Sequence, residues 1–97
     1  AALRDSLASL YFQAGSYGLA VLVGRELVAQ QPGNRKIMEV VAISEQALGR
    51  QKESLESYEA LYKETKSNYH LYQMGVLQYS LKRFGEAATS LNAVILN

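Results

Sequence analysis

Residues 15–34 read GSYGLAVLVGRELVAQQPGN. A small-residue turn opens the stretch, an apolar run follows, and the chain's single proline, Pro32, lies near its end. A related stretch, GRQKESLESYEALYKETKSN, begins at Gly49, and a third, KRFGEAATSLNAVILN, begins at Lys82. Aligned on their small residues, Ala20, Ser54 and Ala87 stand 34 and 33 residues apart. Ala8, Ala42 and Gly75 keep the same two intervals. Two separate sets of markers on one period point to stacked supersecondary units.

Inside each unit the apolar residues recur at three and four, the spacing of a helix face. Leu3, Leu7, Leu10, Tyr11 and Ala14 do so before the turn at Gly15, and Leu19, Val23, Leu27 and Val28 after it. Ile37, Val40, Val41, Ser44 and Leu48 are followed by Leu55, Tyr58, Leu61 and Tyr62. Leu71, Met74, Leu77 and Leu81 are followed by Phe84, Ala88, Leu91 and Ile95. Alternation of period two is absent over any useful length. The pattern predicts six helices, at 2–14, 18–31, 35–48, 52–65, 68–81 and 85–96, and an all-α fold.

The breaks between them have physical causes. Gly15 and Gly49 reach positive φ at no steric cost, which suits a helix end. The third unit has Lys82-Arg83 there and no glycine. Pro32 cannot continue a helix and steers Gln31 away from helical geometry. Ser67 or Asn68 can cap the fifth helix. The small residues mark where two helices joined by a short turn cross too closely for a large side chain.

The period and these markers resemble the tetratricopeptide repeat, a 34-residue helix–turn–helix. The first unit carries the resemblance through Leu7-Ala8, Tyr11, Gly15, Tyr17, Ala20, Leu27 and Pro32. The second keeps Val41-Ala42, Gly49, Ser54, Tyr58 and Leu61, with Glu45 where an aromatic is usual and Lys66 where proline is usual. The third keeps Leu71, Met74-Gly75, Phe84, Ala87 and Leu91, with Gln78 in the aromatic slot. Arg4, Met38 and Leu71 stand where the family has tryptophan. The resemblance implies three repeats, 1–34, 35–67 and 68–97, in one domain. They would stack as a short right-handed α-solenoid of about six helices, each unit packing on its neighbours. It also implies a non-enzymatic scaffold that holds a protein or peptide segment in a concave groove lined by the first helix of each pair.

On that reading the groove presents Phe12 from the first unit and Lys36, Glu39, Ile43 and Gln46 from the second. The third unit presents Tyr69, Tyr72, Val76 and Tyr79. Tyr72, Val76 and Tyr79 fall at i, i+4 and i+7, one continuous stripe. A stripe at helical spacing is ordinarily core. The fifth helix, however, already has a core stripe on another face, Leu71, Met74, Gly75, Gln78 and Leu81. A helix apolar on two faces is sandwiched or offers one face to a partner. Core packing and binding surface therefore stand as equal alternatives for the tyrosines. One variant of the family binds chaperone tails through basic and asparagine residues at positions that here hold Asp5, Ser9, Val40, Tyr69 and Gln73. None is basic, so that carboxylate clamp is missing.

Composition removes other function classes. The 97 residues are 48% hydrophobic, with ten basic and nine acidic side chains and a net charge of +1. Such a balance argues against a nucleic-acid partner. The longest fully apolar run, Leu19–Val23, is far short of the ~20 residues of a membrane span, so no membrane insertion is expected. Arg4 and Asp5 interrupt the apolar start, which therefore reads as helix rather than signal peptide. With no cysteine and one histidine, His70, no disulfide, metal site or cofactor is expected. His70 is expected on an outer or inter-repeat surface. Glu53, Glu56 and Glu59 read as a solvated helix face supported by Lys52–Glu56 and Glu59–Lys63 pairs rather than as acid–base machinery. The ending VILN leaves Leu91, Val94 and Ile95 facing no further helix. Repeat arrays normally close with a polar cap. The chain is therefore expected to be a fragment of a longer protein, or to form a homodimer through this C-terminal end. The latter is the alternative, structural role.

Overall fold

The computed structural model describes residues 2–97, with side chains from Asp5 onward; Leu3 and Arg4 therefore lie outside the described side chains. The described residues form six α-helices and no strand: α1 Ala2–Gln13, α2 Tyr17–Gln30, α3 Arg35–Ala47, α4 Gln51–Thr65, α5 Asn68–Ser80 and α6 Phe84–Leu96. Each end falls within one residue of the boundary read from periodicity. The helices gather into two compact units, one ending at Arg50 with α1–α3, the other spanning Gln51–Asn97 with α4–α6.

The period reappears in the turns. Ser16, Arg50 and Arg83 donate their backbone N–H groups to the carbonyls of Tyr11, Glu45 and Gln78, at 2.8, 2.9 and 2.8 Å. This six-to-one bond closes a helix whose next residue is left-handed. Gly15 and Gly49 supply that residue at φ 78° and 76°, and Lys82 supplies it at φ 63°. A lysine thus does what glycine does in the other two turns, at a conformational cost of about 1 kcal/mol. Lys82→Gly is expected to stabilise the chain by ~0.5–1 kcal/mol in urea unfolding, the gain being reduced by the looser unfolded state of glycine. A loss of stability would mean that the lysine side chain holds the turn. Lys66 is also left-handed, at φ 56°, but its ammonium lies 5.2 Å from the centre of the Tyr62 ring. Its replacement would therefore mix two effects.

Two helix starts, those of α3 and α5, are capped by local polar side chains. Asn34 accepts from the Ile37 N–H at 3.3 Å and donates to Asp5 on α1 at 3.2 Å, tying the start of α3 to α1. Ser67, one of the two expected caps of α5, accepts from the Tyr69 N–H at 3.3 Å.

In the first unit Ala8, Leu27, Ile37 and Val41 form a buried cluster, with Val23 and Val28 against it. All six small marker residues are buried. The closest approach is at Gly24 on α2, where a Cβ would come 2.5 Å from Val41 Cγ2 and 3.6 Å from Ile37 Cγ2. In the second unit a Cβ at Gly75 on α5 would meet Leu91 Cδ2 of α6 at 2.6 Å. Several apolar positions expected in the core lie in water instead: Leu7, Leu10, Leu19, Leu48, Phe84 and Ala88. Periodicity finds the apolar face of a helix; it does not supply a neighbour to cover that face.

Two polar side chains are buried in the aromatic slot. Glu45 is wholly buried on α3, and Arg25 of α2 donates to its carboxylate. Gln78 is buried on α5, and its Oε1 accepts from the Ser90 hydroxyl of α6 at 2.7 Å. Each slot thus holds a polar group with a partner on a neighbouring helix, as burial requires.

Candidate partner-binding faces

The face of α5 that carries the tyrosines is in water. Tyr69, Tyr72 and Tyr79 are 49%, 48% and 64% exposed, and Val76 between them is half-buried. The core of the helix is built from the other side, by Leu71, Gly75, Leu77 and Gln78. Two of the tyrosines are held by neighbouring rings. Tyr69 meets His70 edge-on with centroids 5.6 Å apart, and Tyr58 at 6.5 Å. Tyr79 meets Phe84, at the start of α6, edge-on at 5.5 Å. Such pairs favour these tilted geometries. Phe84 therefore extends the aromatic surface, a role that its place on the apolar period of α6 concealed.

Of the two surfaces expected for His70, the structure takes the inner one, between α4 and α5. The ring is buried, 6.1 Å from the Tyr58 ring, with Nδ1 2.9 Å from Thr65 Oγ1. The Thr65 hydroxyl donates to the Leu61 carbonyl at 2.9 Å, so its one proton is committed. Nδ1 is then the donor of the remaining bond. The histidine braces the start of α5, and with it Tyr69.

The other expected groove residues belong to the first unit. Phe12 on α1 is half-buried and packs edge-on against Tyr17 with centroids 6.0 Å apart. Along α3, Lys36 is exposed, while Glu39, Ile43 and Gln46 are half-buried. These α3 residues follow a helical spacing beside the buried Ile37, Val41 and Ser44. At the C-terminal end Leu91 and Val94 are half-buried and Ile95 is exposed. Among the described residues no three His, Asp or Glu side chains gather as metal ligands could, and no helix is long and apolar enough to cross a membrane.

The arrangement has counterparts among solved structures. MamA AMB-1 aligns over 94% of this chain with a TM-score of 0.88 at 18% identity, the match covering 50% of that MamA chain. MamA MSR-1 aligns over 94% with a TM-score of 0.85 at 17% identity, covering 53% of its chain. MamA is a tetratricopeptide-repeat-like protein. The fold is that of a tetratricopeptide repeat. No protein-family model matches the sequence, and no curated protein does. The chain spans about half the length of the MamA chains it matches. Within the tetratricopeptide frame, Tyr11, Glu45 and Gln78 are the same position of successive first helices, and their carbonyls accept the three turn bonds.

Proposed function

We propose that this chain is a non-enzymatic protein-interaction module of three repeats, 1–34, 35–67 and 68–97, and that it holds a segment of a protein partner against the exposed faces of its first helices. One observation carries the reading: three tyrosines lie in water on α5, opposite a complete core face. Tyrosine gives large contact area and a hydroxyl for little rotamer entropy, and it is enriched where proteins meet. The ring contacts to His70 and Phe84 orient two of the three before any partner arrives, which lowers the ordering cost of binding. In the first unit Phe12, Lys36, Glu39, Ile43 and Gln46 offer a second, mixed-polarity face.

The test is a set of peptides selected on the whole chain from a random library. Their affinity should fall about tenfold on Tyr72→Ala and again on Tyr79→Ala, the size expected of an aromatic hot spot, while Glu59→Ala leaves it unchanged. Peptides indifferent to both tyrosines would overturn the reading.

A second, structural reading rests on α6. Ile95 and Leu96 are largely in water at the end of a helix whose Leu91 and Val94 are only half-covered. An apolar edge of this kind marks an interface, here with a second copy of the chain.

A further inference from the structure

We infer that the segment held by the tyrosine face of α5 is acidic at one end, where its carboxylates pair with Lys82 and Arg83, and uncharged and apolar beyond that end. The inference rests on the protein-interaction reading above and adds the chemistry of the partner.

The three turns between paired helices differ in one place. Where the first two units have Gly15-Ser16 and Gly49-Arg50, the third has Lys82-Arg83. The two glycines and Lys82 hold the same left-handed geometry, so only the third turn carries a side chain at that point. Strained positions of this kind gather where function uses them. Lys66, the other left-handed lysine, has its ammonium over the Tyr62 ring. Among the described residues the side chains of Lys82 and Arg83 have no ring contact, hydrogen bond or ion pair, and Glu86, exposed in the first turn of α6, pairs with neither. Both cations are exposed. Gly15 and Gly49 are exposed as well, so the openness of this turn is a property of every unit.

Aromatic rings stand beside the two cations. The Lys82 N–H donates to the Tyr79 carbonyl at 2.9 Å, and Phe84 follows Arg83 directly. Tyr79 and Phe84 meet edge-on at 5.5 Å. In the first unit Phe12 and Tyr17 form the corresponding ring pair, at 6.0 Å, beside an uncharged turn. In the second unit Arg50 lies between Gln46 and Gln51, with no ring at either position. The third unit alone joins a ring pair to two cations.

The rest of the face decides the class of partner. From Asn68 to Ser80, α5 carries no Lys, Arg, Asp or Glu. A nucleic acid or an anionic membrane presents negative charge throughout and is met by a spread of cations. Two cations at one end of an uncharged tyrosine stripe match a protein segment whose carboxylates lie at one end alone. From Tyr69 to Tyr79 the stripe is about 15 Å long, the span of about five extended residues.

The test uses random peptides of about eight residues, selected on the whole chain and measured by fluorescence anisotropy. Acidic residues should be enriched at one end of the selected sequences. Replacing them by Asn and Gln should lower affinity about fivefold to tenfold, as should Lys82→Asn with Arg83→Gln in the chain, and both changes together should lower it no further. The losses should fade at high salt, where exposed charges are screened. Asparagine tolerates the left-handed turn, and unchanged urea unfolding is the folding control. Lys82→Gly should weaken binding while stabilising the fold, a split that a purely structural lysine would not give. Tyr72→Ala should weaken binding in the charge-free variant as in the wild type. Peptides that depend on Tyr72 but lack acidic residues, or ignore Lys82 and Arg83, overturn the acidic chemistry and leave the interaction reading standing. Peptides indifferent to Tyr72 and Tyr79 overturn both. Duplex DNA or phosphatidylserine vesicles that bind through Lys82 and Arg83 more tightly than any selected peptide overturn the choice of a protein partner.

Discussion

Arg25→Ala is expected to lower the stability of the chain by about 3 kcal/mol, and adding Glu45→Leu is expected to return most of that loss. The Glu45 carboxylate is wholly buried, while the Arg25 side chain that meets it is 52% exposed. Removing one member of a buried pair takes away a counter-charge in a medium that solvates charge poorly, a loss of ~3–5 kcal/mol. The exposure of Arg25 lets water approach that end of the pair and places the effect at the lower bound. Replacing the carboxylate as well removes the buried charge and puts an apolar side chain in its buried place. Exchanges of this kind are often neutral or better. The two substitutions should therefore be strongly non-additive in a double-mutant cycle measured by urea unfolding. For a domain of this size the single variant should melt on the order of 15 °C lower. Equal losses from the single and the double variant would show that the carboxylate is held by other groups and that the arginine adds packing alone.

Gly24→Val should cost a similar amount, about 3 kcal/mol, and Gly24→Ala about 1–2 kcal/mol, although alanine is the better helix former by ~1 kcal/mol. A Cβ at Gly24 would stand 2.5 Å from Val41 Cγ2. Val41 and its neighbour Ile37 are buried and β-branched, with one strongly preferred χ1 rotamer in a helix, so neither can swing aside. The backbones of α2 and α3 would have to separate. Gly75→Ala is the control. The nearest atoms there are Cδ2 and Cγ of Leu91, at 2.6 and 2.8 Å, on a half-buried side chain that can rotate toward water. The gain in helix propensity should then leave stability within about 0.5 kcal/mol of the wild type. Equal losses at the two glycines in urea unfolding would show that rotamer freedom does not decide the outcome.

The helices, their ends and the small-residue crossings were legible because they depend on interactions between residues close in the chain, or on a period that repeats them. The tyrosine face of α5 was legible as a second apolar face, since Leu71, Gly75 and Gln78 already occupied the first. Exposure then showed that Tyr69, Tyr72 and Tyr79 are not core among the described residues. What failed was anything that depends on the arrival of a neighbour. Leu7, Leu10 and Leu19 keep perfect spacing and still face water. Glu45 and Gln78 read only as departures from the aromatic slot because their partners, Arg25 and Ser90, lie 20 and 12 residues away in sequence. Lys82 was hidden for another reason: a left-handed turn residue is inferred from glycine, and here the residue type gives no sign of it.

The polar slots also bear on how such a chain can be rearranged. Repeats are commonly thought of as interchangeable parts, to be duplicated, deleted or reordered. The position on α4 that corresponds to Arg25 is Glu59, and the slot on the following helix holds Gln78 rather than a glutamate. Moving the pair that carries Glu45 one place along would set its buried carboxylate behind Glu59 instead of Arg25. The helix pairs are thus keyed to their order. A duplication of the pair that carries Glu45 would be destabilised until a second substitution changed Glu59 or the slot itself.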